Sequence, residues 1–312
     1  MDGVSWRILI PDLAAAWRDG PAALAPVGTP FARWATRLAE RAADPDRAAE
    51  LPLWTEILDG GGSFGPAVDR ARDAVGTARS VTLTLPAEVA APLLGPVPAA
   101  LGASVNDVLL TGLAIAAAGP LLVALEGHGR EEQAAGDDID LSRTVGWFTS
   151  VYPVRLDLGP VDPAEALAGG PAARAAVARI RSHLARIPDS GIGYGLLRHL
   201  NPDTATALAA RPAPAVQFNY LGRFDFPEAA DWAYAPEMDA VDIGADAGMP
   251  LDYTLTVNAH AEDRPGGPVL SATWEWPAAL LTEQTVRDLA EAWFRALSTL
   301  ARTVTSAKEE AP

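Results

Sequence analysis

Leu121-Leu122-Val123-Ala124-Leu125-Glu126-Gly127-His128-Gly129-Arg130 sets the frame for the rest of the chain. Five consecutive apolar residues are too few for a helix core and fit a strand buried on both faces. The run ends abruptly at a carboxylate, so Glu126 emerges where the strand leaves the sheet, at an edge or a cleft. Gly127 and Gly129 flank His128 and permit backbone angles that hold the carboxylate at a tight turn. That position suits a functional acid, and it equally suits a solvated carboxylate at a strand end. His128 reads either as a general base or as a local hydrogen-bonding residue. The acidic residues that follow, Glu131, Glu132, Asp137, Asp138 and Asp140, read as a solvated run.

Further strands follow from alternation. Val81, Leu83 and Leu85 face one way with Thr82 and Thr84 opposite; Val154, Leu156 and Leu158 alternate with Arg155 and Asp157. Leu251, Tyr253, Leu255 and Val257, then Leu270, Ala272, Trp274 and Trp276, repeat the pattern. Helices are expected over Val105 to Ala118, from Pro171 with a core side of Val177, Ile180 and Leu184, and after an N-cap at Thr282. In the last of these Val286, Leu289, Trp293, Leu297, Leu300 and Val304 recur at three and four. Towards the N-terminus, Trp6, Ile10, Leu13 and Trp17 fall at helical spacing, with Pro11 expected to kink or restart the helix. Phe31, Trp34, Leu38 and Arg41 suggest a second helix and Leu51 to Leu58 a third.

Mixed elements with long connections, without a regular βαβ rhythm, predict an α/β (α+β) protein of two lobes. Asp59-Gly60-Gly61-Gly62-Ser63 reads as a flexible break between them. Residues 1–75 are assigned to an N-terminal lobe, 76–305 to a C-terminal lobe and 306–312 to a flexible tail.

Composition narrows function by exclusion. A net charge of −16 repels phosphate backbones and anionic membranes, which argues against nucleic-acid and membrane binding. No apolar stretch approaches the length of a spanning helix and no leader pattern opens the chain, so a cytoplasmic location is expected. Zero cysteines and four scattered histidines (His128, His183, His199, His260) leave no metal motif. No Gly-x-Ser-x-Gly occurs for a serine nucleophile. The glycines of Ile187 to Gly195 lack the lysine and the preceding strand of a nucleotide loop. Arg143 to Pro153, with Trp147, Thr149 and Ser150, has the mixture of aromatics and hydroxyls that lines a ligand cleft or simply packs a loop. Asn219 and Tyr220 end an apolar strand, where they can orient a carbonyl or merely terminate the strand.

In order along the chain, these segments resemble the core motifs of epimerization domains of nonribosomal peptide synthetases, in the condensation-domain superfamily. Asp2-Gly3-Val4-Ser5-Trp6 is similar to the end of a His-His-x-x-x-Asp-Gly motif, and Val105-Asn106-Asp107-Val108-Leu109-Leu110 to the motif after it. Glu126 through Arg130, Arg143 through Pro153, Pro188 through Gly195 and Phe218 through Gly222 resemble the remaining four. The resemblance implies a two-lobed chloramphenicol-acetyltransferase-like fold with an active-site tunnel. It implies L-to-D inversion of the α-carbon of an aminoacyl or peptidyl thioester on a peptidyl carrier protein. No cofactor is bound directly; the phosphopantetheine arm comes with the carrier. Other synthetase modules are the further partners.

By the same resemblance Glu126 is the catalytic acid–base, facing the second histidine of the motif. His128, Trp147, Thr149, Ser150, Tyr194, Asn219 and Tyr220 bind or support substrate, and Asp2, Gly127 and Gly129 are structural. Both histidines and the preceding part of the first lobe are missing from these residues, and the stretch from Ala114 to Glu126 is shorter than usual. The first lobe is therefore expected to be incomplete and activity of the chain alone impaired, with a separate chain as one source of the missing lobe. Two other readings are a noncatalytic carrier-docking remnant and a condensation-type acyl transferase; the latter is disfavoured by Glu126-Gly127-His128-Gly129-Arg130.

Overall fold

The computed structural model describes residues 1–62, 64–224 and 245–309, with side chains through Val304. Ser63 of the glycine-rich break and residues 310–312 of the expected tail lie outside the described residues. The architecture is mixed α/β, as expected. One six-stranded sheet has the order β1 (Ala78–Leu85), β6 (Gly267–Pro277), β5 (Leu255–Arg264), β4 (Val216–Phe224), β2 (Leu121–Gly127), β3 (Ser150–Leu156). β4 is parallel to both its neighbours, β2 and β5; the other pairs are antiparallel.

The alternating and the continuous patterns resolve into different environments. β1 buries Val81 and Leu85 and turns its threonines outward, where the Thr82 and Thr273 hydroxyls meet at 2.8 Å across the pair with β6. β2 is covered on both sides. Leu121, Val123 and Leu125 enter the main core, whereas Leu122 packs with Trp54, Leu58, Leu197 and Leu208 on the opposite face.

The main core lies between the sheet and a layer of helices, chiefly α4 (Val105–Ala117), α5 (Gly170–Leu184) and α6 (Glu283–Glu309), with Ala90, Leu93, Val97 and Ala166 added from shorter helices. A capping box starts α4: Asp107 N–H donates to Ser104 Oγ at 3.1 Å and Ser104 N–H to Asp107 Oδ2 at 2.7 Å. Thr282 caps α6 through the Thr285 N–H. Trp293 of α6 is fully buried, edge-on to Trp274 and Phe218, and its indole N–H donates to the Leu109 carbonyl at 2.9 Å. The N-terminal elements are α1 (Gly3–Asp19), α2 (Phe31–Arg41) and α3 (Leu51–Asp59). Trp34 of α2 packs with Ile139, Leu141 and Phe148, and Trp54 and Leu58 of α3 cover β2.

Four local expectations are corrected. α1 does not restart at Pro11 but runs through it as one element, because proline there removes one donor on an exposed helix side without ending the ladder. Its apolar stripe is not a core face: Trp6, Leu13 and Trp17 are 47%, 58% and 79% exposed, and the buried residues are Ser5 and Ala14. The third alternating strand begins at Leu255, with Leu251 to Tyr253 outside it, and it continues through His260 to Arg264. β3 ends at Leu156, leaving Leu158 buried beyond the strand. Among the described residues no helix is long and apolar enough to cross a membrane.

Candidate active site

A fork in the sheet creates the site. β2 and β4 pair over only three positions, Val123 to Leu125 against Val216 to Phe218. The next residue on each strand is Glu126 and Asn219. Side chains alternate, so Glu126, Gln217 and Asn219 share the face turned away from the main core. Glu126 Oε1 accepts from Gln217 Nε2 at 2.5 Å and Oε2 from Asn219 Nδ2 at 2.9 Å. Neither donor is charged. Burial raises the Glu126 carboxyl above its ordinary range, because the anion gives up water and gains no cationic hydrogen-bond partner in exchange. A cleft of about 490 Å³ opens over this group, bounded by Tyr152, Phe218, Asn219 and Tyr220 of the sheet, by Asn106 of α4 and by Asp2, Gly3 and Val4 at the start of α1.

The start of α1 is held over the cleft by a polar clasp. Asp2 caps the helix by accepting from the Ser5 N–H at 2.8 Å and also accepts from the Phe148 N–H at 3.2 Å. Ser5 Oγ lies 2.7 Å from Asp2 Oδ1 and accepts from the Gly146 N–H at 3.0 Å. Arg130 joins the parts: its guanidinium donates to Asp2, to Ser5 Oγ, and to the carbonyls of Leu141 and Thr144, and it lies 4.0 Å over the Phe148 ring. Burial alone pushes the Asp2 carboxyl up, but the hydrogen bonds from Ser5 and Arg130 together outweigh it and leave it below the ordinary range. Gly129 makes this turn possible. Its φ is +67°, and a Cβ there would overlap the Phe148 carbonyl.

The structure brings some of the expected residues together and not others. Glu126, Gly127, Thr149, Asn219, Tyr220 and Asp2 line the cleft. His128 stands at its rim with the ring 62% exposed, its Nδ1 accepting from the Arg130 N–H at 3.0 Å, so the local hydrogen-bonding role is the one observed. Trp147 is 65% exposed and outside the cleft lining. Ser150 pairs with Gly127 across β2 and β3, and its buried hydroxyl also lies outside the lining. Tyr194 packs edge-on against Trp54 and lines a second cavity of about 620 Å³, with Tyr253. Tyr152 borders both cavities. Burial raises the Tyr253 phenol, and the Glu126 carboxylate raises it further.

Sequence reasoning missed three contributors. Gln217 sits two residues before Asn219 on one strand face, so strand periodicity contained the signal. Arg130 belongs to the stretch that opened the reading, but its partners are 128 residues away at Asp2 and 125 away at Ser5. Tyr152 lies within the Arg143 to Pro153 stretch, which was the signal, but was not singled out there.

The family profile for the condensation domain matches residues 1–311. The chain is 34% identical over 238 residues to bacitracin synthase 3 of Bacillus licheniformis, covering 72% of this chain, and 31% identical over 332 residues to tyrocidine synthase 1 of Brevibacillus parabrevis, covering 99%. It spans only 4% and 29% of the length of those two proteins. Among solved structures, the epimerization domain from the third module of tyrocidine synthetase B superposes with a TM-score of 0.80 at 27% identity, over 98% of this chain and 68% of that one. The X-domain from teicoplanin biosynthesis, at 23% identity and a TM-score of 0.62 over 96% of this chain and 67% of that one, shares the fold.

Proposed function

The chain belongs to the condensation-domain family of nonribosomal peptide synthetases, with its chloramphenicol-acetyltransferase-like fold, and we propose that its site serves epimerization. In this reading Glu126 exchanges the α-proton of an aminoacyl or peptidyl thioester that a peptidyl carrier protein presents in the cleft on its phosphopantetheine arm. The observation that carries the reading is the half-buried Glu126 carboxyl, held by two neutral amides with, among the described residues, no cation paired to it.

Inversion removes a proton from one face of the α-carbon and returns one to the other, so the group that works one face must both give and take a proton near neutral pH. A carboxyl raised by burial is better suited to this than a free one; one paired with arginine stays an anion. Abstraction leaves an enolate on the thioester oxygen, and the Tyr220 hydroxyl at the cleft wall is the donor assigned to it. Condensation-type acyl transfer has no need of such a carboxyl.

The second acid–base group is assigned to the His-His segment that precedes the Asp-Gly pair in epimerization domains. Asp2-Gly3 is held at the cleft mouth by Arg130, so a histidine just before it would face the cleft opposite Glu126. The uncovered apolar stripe of α1 supports the docking of further lobe, on the same or a separate polypeptide, beside that point. Other synthetase modules are the remaining partners.

The test is deuterium incorporation at the α-carbon of a carrier-bound aminoacyl thioester in D₂O. Glu126→Gln is expected to lower exchange by about 10²–10⁴; an unchanged rate overturns the reading. The 312 residues alone are expected to exchange slower by a similar factor, about 10²–10⁴, than the same chain supplied with a His-His lobe. A second reading, carrier docking without chemistry, is favoured by one observation: among the described residues His128 is the only histidine at the cleft, and its ring turns outward. Carrier binding without exchange, even with the lobe supplied, would establish it.

A further inference from the structure

We infer that Gln217 is a positioning residue for the reaction, a clamp that fixes the plane of the Glu126 carboxyl and turns its exchangeable proton site into the cleft. The inference rests on the proposed role of Glu126 and adds to it a residue outside every motif that carries the family resemblance.

The geometry is specific. On β4, Gln217 lies opposite Ala124 of β2 on one side and opposite Thr256 of β5 on the other. Its Nε2 donates to Glu126 Oε1 at 2.5 Å, and its Oε1 accepts from the Thr256 hydroxyl at 3.4 Å. The contact with the carboxylate fixes the orientation of the amide. Flipped, it would set its oxygen against the carboxylate, whereas the Thr256 hydroxyl can pair with either end of the amide. The relay therefore runs in one direction, from Thr256 through Gln217 to Glu126.

Asn219 supplies the second point of the clamp on Oε2. Each carboxylate oxygen offers about two lone-pair sites, and the two amides fill one on each from the sheet side. A proton on Glu126 must then occupy a remaining site, which faces the cleft. Torsion about the last side-chain bond, the softest in glutamate, is removed by contacts on both oxygens. Neutral donors do this without the strong preference for the anion that a cation would impose, so the carboxyl stays raised by its burial. The titratable and charged groups that line the cleft with it are Asp2, Arg7, His128, Glu131, Tyr152 and Tyr220, and Tyr253 lines the second cavity beyond Tyr152.

Two readouts test the clamp, one independent of activity. With ¹³C-labelled glutamate side chains, the Glu126 carboxyl signal is assigned by its loss in Glu126→Gln and titrated by NMR. Gln217→Met keeps the side-chain length and removes the donor. The Glu126 midpoint is expected to rise by about one pH unit, the equivalent of one lost hydrogen bond to the anion. Thr256→Val, one strand further from the carboxyl, is expected to raise it by roughly half as much and serves if Gln217→Met does not fold. The pH profile of α-proton exchange should move upward with the titration, the maximal rate falling about tenfold while KM for the loaded carrier is unchanged. A Glu126 midpoint that stays put in the folded variants overturns the inference, whatever the rates do. If the midpoint moves but Glu126→Gln exchanges like the wild type, the clamp stands and the proposed function falls.

Discussion

Two helices of this protein carry the same kind of apolar stripe and meet opposite fates. In α6, Val286, Trp293, Leu297 and Leu300 are buried against the sheet and α4, and the indole of Trp293 finds its hydrogen-bond partner there. In α1, Trp6, Leu13 and Trp17 stand in solvent while Ser5 and the Asp2 cap do the anchoring. Periodicity identifies a face. It does not identify what covers it, and α1 is fastened by its polar end instead.

The contrast can be broken at either end. Trp293→Ala is expected to have the largest effect, a loss of roughly 3–5 kcal/mol by chemical denaturation, from lost burial and a cavity at the centre of the core. A loss near that of a surface substitution would show that α6 is no more tightly held than α1. Next comes the clasp: Arg130→Met leaves Asp2 buried without its cation and is expected to cost about 3 kcal/mol. Cleavage of α1 should become faster in limited proteolysis. The Asp2 carboxyl is lowered in the folded state, so its contribution is present above its ordinary value of 3.8 and is lost as pH falls through the folded value. Arg130→Met should flatten that acid limb of the stability profile, and an unchanged limb would remove the clasp from the account.

Smaller effects sharpen the comparison. Glu126 has the opposite sign to Asp2: its carboxyl is raised on folding, so its contribution is full below the ordinary value of 4.5 and is lost as pH rises through the folded value. Glu126→Gln should therefore leave the stability at pH 7 equal to or slightly above that of the wild type, by less than about 1 kcal/mol, while exchange collapses. A fall in Tm would recast Glu126 as a structural group. The smallest change is expected for Trp17→Ser, within about 0.5 kcal/mol for these residues alone. In the presence of a His-His lobe that docks on α1, the same substitution should weaken the association.

Much of the fold was legible because burial on one face leaves a period. Val81 to Leu85, Leu270 to Trp276 and the α6 stripe were read correctly for that reason. Leu121 to Leu125 was read from its unbroken apolar run, which the structure explains by cover on both sides. The failures share a cause as well. Tyr194 sits beyond Tyr152 in a separate cavity, because Gly191, at a φ of +81°, brings the loop against the Tyr152 ring where a Cβ would clash. Trp147 belongs to the strand-entry loop, and nothing local signals that its neighbours Phe148 and Thr149 turn inward while it turns out.

Local chemistry alone marked Glu126 as the end of a buried run, Gly129 as the hinge beside it, and Asn219 and Tyr220 as polar residues closing another strand. Those assignments need only neighbours along the chain. Which groups hold the carboxylate, that Arg130 reaches back to Asp2, and that the α1 stripe meets water depended on the tertiary structure. The first two are contacts between segments far apart in sequence and the third is the lack of one, and the carboxylate is open to the cleft where β2 and β4 part after three paired residues.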